Sequence, residues 1–268
     1  MEKIRQLDPT NLKLFTFLFQ GRADIYARFW QSPDGQRSSF SPVYRLNDVT
    51  RPLTDAVIVD HLNGGEVIGV YPLLANNTTH FLAIDFDGDG WLEAARRVVE
   101  TAARGQVLSY LERSRSGNGG HVWFFFDQPV PAAKARLLGK KLLEQSGADQ
   151  RSFDRMFPSQ DAHTGKGFGN LIVLPLHGRY LEAENTAFID TDGEVIADQW
   201  AYLNAIKRVA AAAIEQFLQG SESTTDHQDT SSDAADDIVV PTAVTSQVSV
   251  TVSGRLFIPF TTLPAALL

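Results

Sequence analysis

Cysteine is absent from all 268 residues, which excludes disulfide bonds and thiolate zinc sites. The sequence also lacks any apolar run close to the roughly 18 residues that span a bilayer. Its first residues, MEKIRQLDPTNLKLF, have neither the apolar block nor the cleavage site of a secretion signal. We therefore expect a cytoplasmic protein that has no membrane partner and needs no zinc.

Positive charge is scarce as well, and the formal net charge is −8. Six acidic residues and no Lys or Arg fall in GSESTTDHQDTSSDAADD, residues 220–237. Without those six charges the rest of the chain has a net charge of −2. A domain this close to neutrality can still hold a basic groove, so composition does not exclude a nucleic-acid partner.

The composition along the chain predicts one domain and a tail. We place the domain at 1–218, with an N-terminal α/β unit over 1–78 and a second unit over 79–218. The acidic, Ser/Thr-rich stretch 219–238 has the composition of a disordered linker. The strand-like segment 239–268 is too short to form a core alone, so we expect that it either packs back on the main domain or is the start of a missing domain.

Apolar periodicity predicts the secondary structure. A helix-like pattern covers 11–30, followed by a helix over 52–62 and a strand over 68–74. The next predicted elements are strand 81–87, helix 91–105, strands 106–114 and 121–127, helix 130–147 and strand 150–157. This β-α-β-β-α-β order predicts an α+β fold with an antiparallel sheet like that of RNA-recognition motifs, spatial order 4-1-3-2, and both helices on one face.

The stretch FLAIDFDGDGW, residues 81–91, ends an apolar strand in carboxylates. Asp85 and Asp87 share a face of that strand because side chains alternate with period two. In the predicted strand order His121 begins one neighbouring strand and Asp154 lies on the other neighbour. We therefore expect these four side chains to converge on the sheet face opposite the helices.

Three interpretations fit these aspartates to different degrees. An EF-hand loop would need Glu at position 12, where the chain has Arg96, and a helix where a strand is predicted. A phosphatase of the haloacid dehalogenase type matches IDFDGD, but its motif opens a parallel doubly wound sheet. A two-metal site for nucleotidyl transfer needs two or three carboxylates around divalent ions, and D-x-D on a strand supplies two of them.

A glycine-rich loop precedes His121 and is typical of phosphate-binding loops, because glycines let backbone N–H groups approach an anion. Cationic and imidazole groups elsewhere in the second unit could grip a triphosphate. The candidate nucleotide-binding residues are Arg113, Arg115, Ser116, Gly117, Asn118, Gly119, His121, Lys166, His177 and Arg179.

Taken together, these motifs resemble the archaeo-eukaryotic primase superfamily, and within it most closely the primase-polymerase domain of TOTE conflict systems. The supporting stretches are GVYPLL, FLAIDFD, ERSRSGNGGHVWFF, FDRMFPSQD, GFGNLIVLPLHG and FIDTDGEVIADQWAYL. The resemblance runs from about residue 10 to 218. It implies a two-lobed fold in which an RNA-recognition-like catalytic sheet packs on an N-terminal α/β unit.

The resemblance also implies roles for particular residues. Asp85 and Asp87 match the first motif, which binds metal, and His121 matches the second, which contacts the phosphates of the incoming nucleotide. Asp154 matches the third acidic position, with Asp190 of FIDTDGE as a rival. Members of this subgroup often carry a cysteine-rich insertion before the first motif, and this chain has none, so a zinc-dependent role is not expected.

The expected function is therefore a primase-polymerase that uses Mg²⁺ or Mn²⁺ in a two-metal site. Its expected partners are nucleoside triphosphates, a single-stranded or primed nucleic-acid template, and a helicase or nuclease, since many relatives carry these on the same chain. Two alternatives stay open at this point. One is a metal-dependent phosphohydrolase using the same aspartates, and the other is a non-catalytic RNA-recognition-like module that stacks bases on the aromatics of HVWFFF.

Overall fold

The first helix begins at a proline that directly follows a capping aspartate. The structure is a computed structural model that describes residues 7–44 and 49–222, with side chains up to residue 220. In it Asp8 Oδ1 accepts a hydrogen bond from Thr10 N at 2.8 Å, and Pro9 takes the first helical position, where an N–H group is not needed. The N-terminal elements are α1 (Pro9–Leu18), β1 (Ala27–Gln31), β2 (Ser38–Pro42), α2 (Asp55–Leu62) and β3 (Ile68–Val70).

The prediction of a continuous helix over 11–30 is wrong beyond residue 18. α1 ends at Leu18, and β1 begins at Ala27. Gly21 lies so close to the backbone of Tyr71 that a Cβ atom would come within 2.7 Å of its carbonyl oxygen, and the chain turns there. β1 then pairs antiparallel with β2 and β3, so strand pairing overrides the local helical pattern.

The second half of the chain builds the larger sheet. Its elements are β4 (Thr78–Asp87), α3 (Trp91–Arg104), β5 (Tyr110–Arg113), β6 (Gly119–Pro131), α4 (Ala132–Ser146), β7 (Phe153–Phe157), β8 (Ile172–Val173), α5 (Gly178–Leu181), β9 (Phe188–Ile189), α6 (Gln199–Ala205) and α7 (Ala211–Glu222). The five-stranded sheet has the order β7-β4-β6-β5-β9, and its pairings are antiparallel. The predicted α+β class, the β-α-β-β-α-β order and the 4-1-3-2 arrangement are therefore confirmed, with β9 as an additional edge strand.

One face of this sheet is covered by the two helices, as predicted. Leu82, Ile84 and Phe86 alternate along β4 and pack in one core with Val98 of α3 and Leu138 of α4. Because the apolar side chains occupy every second position, the residues between them point to the other face. Burial on the helical side thus determines which side chains of β4 face away from the helices.

The other face of the sheet packs on the N-terminal elements. Phe81, Trp123 and Phe125 of the sheet share a core with Phe15 and Phe19 of the α1 region. A second, four-stranded sheet has the order β2-β1-β3-β8, so residues far along the chain complete the N-terminal sheet. The structure thus has the expected two-part architecture, a helix-backed sheet packed on an N-terminal α/β unit, within one compact body.

The C-terminal predictions are only partly covered. Residues 219–222, predicted to begin the linker, belong to α7. The rest of the predicted linker and the segment 239–268 lie outside the described residues. None of the helices in the described part of the chain is long and apolar enough to cross a bilayer.

Two phenylalanines near the end of α1 test the packing between the two parts. Phe19 is 2% exposed and contacts the Trp123 and Phe125 rings, whereas Phe17 is 48% exposed. We expect Phe19→Ala to lower the free energy of unfolding by about 3–5 kcal/mol, because it leaves a cavity in the shared core. The matched Phe17→Ala change should cost about 1 kcal/mol or less. Urea denaturation of both variants measures this, and equal losses would contradict the packing described here.

Candidate active site

Four charged side chains form one row across the larger sheet. The strand registers pair Asp85 of β4 with His121 of β6 and with Arg155 of β7, and they pair His121 with Glu112 of β5. Residues directly opposite each other in an antiparallel pair share a face. His121 Nε2 lies 3.5 Å from Asp85 Oδ1, and His121 Nδ1 lies 2.8 Å from Glu112 Oε2. We call Arg155, Asp85, His121 and Glu112 the charged row.

Two further carboxylates lie beside the charged row. Asp87 ends β4 two residues after Asp85 and is exposed. Asp154 is the extra residue of a bulge, because Phe153 pairs with Phe86 while Arg155 pairs with Asp85. In addition to burial, the charges of Asp154 and Asp87 raise the pKa of Asp85. The structure therefore brings Asp85, Asp87, Asp154 and His121 together at one end of the sheet face away from α3 and α4.

Asp190, the rival for the third acidic position, lies elsewhere. It directly follows β9, which is separated from β4 by β5 and β6 in the sheet. Its Oδ1 atom accepts hydrogen bonds from Asp192 N at 2.9 Å and from Glu194 N at 2.8 Å. These bonds are those of a side chain that stabilises a turn, and β7 rather than β9 adjoins the aspartates of β4.

The fold weighs against three of the alternative interpretations. Asp85 and Asp87 lie within a β-strand, whereas an EF-hand requires its loop between two helices. The antiparallel sheet differs from the parallel doubly wound sheet of haloacid dehalogenase phosphatases. Trp123 and Phe125 are no more than 1% exposed beneath Phe19, so these aromatics of HVWFFF have no surface on which bases could stack.

The predicted glycine loop connects β5 and β6 and lies against the end of β4. Gly88 N donates to the Asn118 carbonyl oxygen at 3.0 Å, which joins the two turns. Gly119 and Gly120 are required by packing, since a Cβ atom would come within 2.4 Å of Phe86 O at the first and 2.3 Å of the Trp91 ring at the second. The backbone at the entry of β6 can therefore lie directly beside the aspartates only because it has no side chains there.

Two of the predicted nucleotide-binding arginines are engaged with the protein. Arg113 donates to the backbone oxygens of Glu184 and Gly193 at 3.1 and 2.6 Å. The Arg115 guanidinium lies over the Phe29 ring at 4.6 Å and the Tyr180 ring at 5.5 Å. Arg115 thus ties the glycine loop to β1 and to α5, and Arg113 joins the end of β5 to the segments that follow α5 and β9.

The three predicted groups beyond β7 have different surroundings. Lys166 and Arg179 are exposed. His177 is 1% exposed, its Nε2 atom lies 3.1 Å from Gly65 O, and its ring packs against His61. A side chain this deeply buried cannot reach a nucleotide, so the structure does not support the predicted contact of His177.

The two inner members of the charged row, Asp85 and His121, have strongly shifted pKa values. Burial raises the pKa of Asp85 to about 6 although the neighbouring His121 opposes this rise. Burial lowers the pKa of His121, but the charges of Glu112 and Asp85 outweigh it and raise the value to about 9. Because the folded-state pKa of Asp85 lies above its ordinary value of 3.8, the free energy of unfolding falls as the pH rises toward 6, and the full cost of its ionisation is present above that pH. Groups with such conflicts cluster at functional sites.

The carboxylates fit a hard divalent cation by their chemistry. Carboxylate oxygens are the ligands that Mg²⁺ prefers, and a cation would offset the buried charge of Asp85. As the side chains stand, Asp154 Oδ2 accepts from Arg155 Nε at 2.7 Å and Asp87 Oδ1 accepts from Gly88 N at 2.9 Å. Within residues 7–44 and 49–222, accordingly, no three acidic or histidine side chains are already grouped around one point.

Sequence reasoning missed Glu112 and Arg155, the two outer members of the charged row. Glu112 is 2% exposed. The sequence did not predict its place, since a symmetric turn over RSGNGG, residues 115–120, would put Ser114 opposite His121, whereas the observed register pairs Glu112 with His121. Arg155 could not be placed either, because the bulge beside Asp154 changes which residue of β7 faces Asp85.

One of the comparisons with known proteins shows the family to which the chain belongs. Residues 10–217 match the family described as "TOTE conflict system, Archaeo-Eukaryotic Primase domain", which is more than half of the chain. This match confirms the family resemblance inferred from the motifs. No curated protein sequence matches the chain.

Two solved structures show a distant likeness. The polymerase domain of Mycobacterium tuberculosis Ligase D, in complex with DNA, is 17% identical with a TM-score of 0.40, covering 80% of this chain and 86% of that one. The AEP domain of the cyanophage S-2L primase-polymerase is 16% identical with a TM-score of 0.36, covering 79% of this chain and 98% of that one. The assignment of the chain to a family rests on the family match and not on these two likenesses.

The buried histidine pair gives a pH-dependent prediction. Burial and the neighbouring His177 lower the pKa of His61 to about 4. His61 is neutral in the folded protein but protonates near pH 6.5 once unfolded, so its contribution to stability is complete above pH 6.5 and is lost as the pH falls toward 4. Between pH 7 and pH 5 we expect the free energy of unfolding to fall by about 2 kcal/mol more in the natural protein than in His61→Gln. Equal falls, measured by urea denaturation, would show that His61 is not held neutral.

Proposed function

Since this chain belongs to the archaeo-eukaryotic primase domain family of TOTE conflict systems, we propose that it is a metal-dependent primase-polymerase. It transfers nucleotides from nucleoside triphosphates to a 3′ hydroxyl, or to a first nucleotide when it starts a primer, on a single-stranded or primed template. The observation that carries the proposal is that Asp85, Asp87 and Asp154 lie beside His121 at one end of the sheet, near enough for the charges of Asp87 and Asp154 to act on Asp85.

In this proposal Asp85, Asp87 and Asp154 hold the divalent cations, Mg²⁺ or Mn²⁺. Such ions, when bound, assist the attack of a hydroxyl group and stabilise the pyrophosphate that leaves. Asp85 supplies a fixed, mostly buried carboxylate, with 18% of its side chain exposed. Asp154 is the adaptable member, because its side chain is 42% exposed and would exchange its ion pair with Arg155 for a cation.

The triphosphate would lie against the entry of β6. His121 presents its Nε2 edge beside Asp85 there, and Ser116, Gly117, Asn118 and Gly119 form the adjoining loop. Positioning and charge stabilisation are the main catalytic effects in such a reaction, since no protein nucleophile is needed. The exposed Lys166 and Arg179 are the candidates for further phosphate contacts. A helicase or nuclease partner is part of the same proposal, on the family resemblance alone.

Isosteric changes in the DFDGD stretch test the assignment of the carboxylates. We expect Asp85→Asn and Asp87→Asn each to lower primer extension and primer synthesis by about a hundredfold or more, because each removes a metal-binding charge. Asp89→Asn is the matched control, since Asp89 is exposed in the turn that directly follows β4. Template-dependent incorporation of labelled nucleotides with Mn²⁺ is the readout. Full activity in Asp85→Asn would refute the site, and phosphate release from small esters without template would favour a phosphohydrolase.

Thermal unfolding with added Mn²⁺ tests the third ligand without any activity measurement. A ligand at 100 times its Kd stabilises the folded state by about 2.7 kcal/mol, which is a rise of roughly 5–10 °C for a domain of this size. We expect this rise in the natural protein and its loss in Asp154→Asn. Asp190→Asn should keep the rise in melting temperature, because Asp190 stabilises a turn at the edge of the sheet opposite β7. The reverse pattern would assign the third ligand to Asp190.

A further inference from the structure

Glu112 is a buried carboxylate at the end of the charged row, and the proposed reaction has no direct use for it. It is 2% exposed, and its Oε2 atom accepts two hydrogen bonds, from His121 Nδ1 at 2.8 Å and from Trp123 Nε1 at 2.9 Å. Burying an ionisable group costs free energy unless bonds of this kind offset the cost. An apolar residue would fill the same space in the sheet at a lower cost in free energy, so the presence of a carboxylate at this position points to a role other than packing.

We propose that Glu112 is a positioning residue, which holds the His121 ring so that its Nε2 edge faces Asp85 and the phosphates of the incoming nucleotide. This inference rests on the proposed function and deepens it. Glu112 itself touches neither substrate nor metal, and it acts through His121 alone.

The geometry of the ring carries the proposal. A carboxylate only accepts hydrogen bonds, so His121 Nδ1 must carry a hydrogen, and the other nitrogen then points away from Glu112. That second nitrogen, Nε2, lies 3.5 Å from Asp85 Oδ1. The terminal torsion of a histidine has two broad orientations related by a rotation of about 180°. The bond to Glu112 selects one of them, since the flipped ring would present a C–H group to the carboxylate.

Glu112 is in turn fixed by the core between the two parts of the protein. Trp123, the second donor to its Oε2 atom, stacks on Phe125 with 5.8 Å between ring centroids and meets the edge of Phe19 at 5.1 Å. Phe19 belongs to the N-terminal side of that core. The orientation of His121 is therefore coupled, through Glu112 and Trp123, to the packing of the α1 region on the sheet.

Three variants at one position separate positioning from simple support of the fold. Glu112→Gln keeps an acceptor oxygen where the carboxylate was, and Glu112→Ala removes it. Glu112→Asp keeps the charge on a side chain that is one methylene shorter and cannot reach His121 in the same way, and it serves if the alanine variant fails to fold. Thr79→Val is the matched control, because it removes another fully buried side-chain hydrogen bond, from Thr79 Oγ1 to Phe81 O, at the opposite end of β4.

Two readouts are needed, and neither depends on turnover. The first is the NMR signal of the His121 Nδ1 proton, assigned by its loss in His121→Asn. The second is the affinity for ATP and dATP, measured by calorimetry with Ca²⁺ as the cation. Melting temperatures of all variants report any general loss of stability.

The natural protein, Glu112→Gln and Thr79→Val should show the slowly exchanging proton and bind the triphosphate within about threefold of one another. Glu112→Ala and Glu112→Asp should lose the proton and bind about tenfold more weakly, the effect of one buried hydrogen bond to a charged group. Unchanged triphosphate affinity in a folded Glu112→Ala or Glu112→Asp would overturn the proposal. If the natural protein bound no triphosphate, the proposed function would fail, whereas the proton signal would still decide whether Glu112 orients His121.

Discussion

The pairing of Asp85 with His121 across β4 and β6 is the constraint on which the rest of the site depends. A slip of one residue in this register would turn one of the two side chains toward α3 and α4 and separate it from the other, because the faces of a strand alternate. The register is fixed by features unrelated to chemistry: Leu82, Ile84 and Phe86 must face the helices. The packing that forms the core therefore also forms the site, because the carboxylates of β4 occupy the alternate positions that do not face the helices.

The same arrangement sets stability against function. Asp85 is mostly buried, and it lies close enough to Asp87 and Asp154 for their charges to raise its pKa further. A sequence selected for stability alone would avoid placing two further acids beside Asp85, since their charges make its ionisation more costly. Conflicts of this kind are expected where a protein holds groups ready for a ligand. A cation would relieve this conflict, and the partners of Asp87 and Asp154 are hydrogen bonds that such a ligand can replace.

How far the sequence predicts the structure depends on the range of the interactions involved. The common face of Asp85 and Asp87 follows from the two-residue period of a strand, and the neighbourhood of Asp154 follows from the strand order. The helix expected over 11–30 fails because pairing of β1 with β2 and β3 is a tertiary effect. His177 is buried against His61, which lies far away in the chain, and no local sequence pattern predicts this contact. The bulge at Asp154 could not be predicted either, because it depends on the pairing of β7 with β4.

A crystal structure with Mn²⁺ and a non-hydrolysable nucleoside triphosphate tests the central claim most directly. Manganese scatters anomalously, so its position can be located without reference to the protein. We expect manganese within coordination distance of Asp85, Asp87 and Asp154, with Asp154 released from Arg155 and the phosphates between the glycine loop and His121 Nε2. Manganese and phosphates bound elsewhere, with Asp154 still paired to Arg155, would contradict that claim.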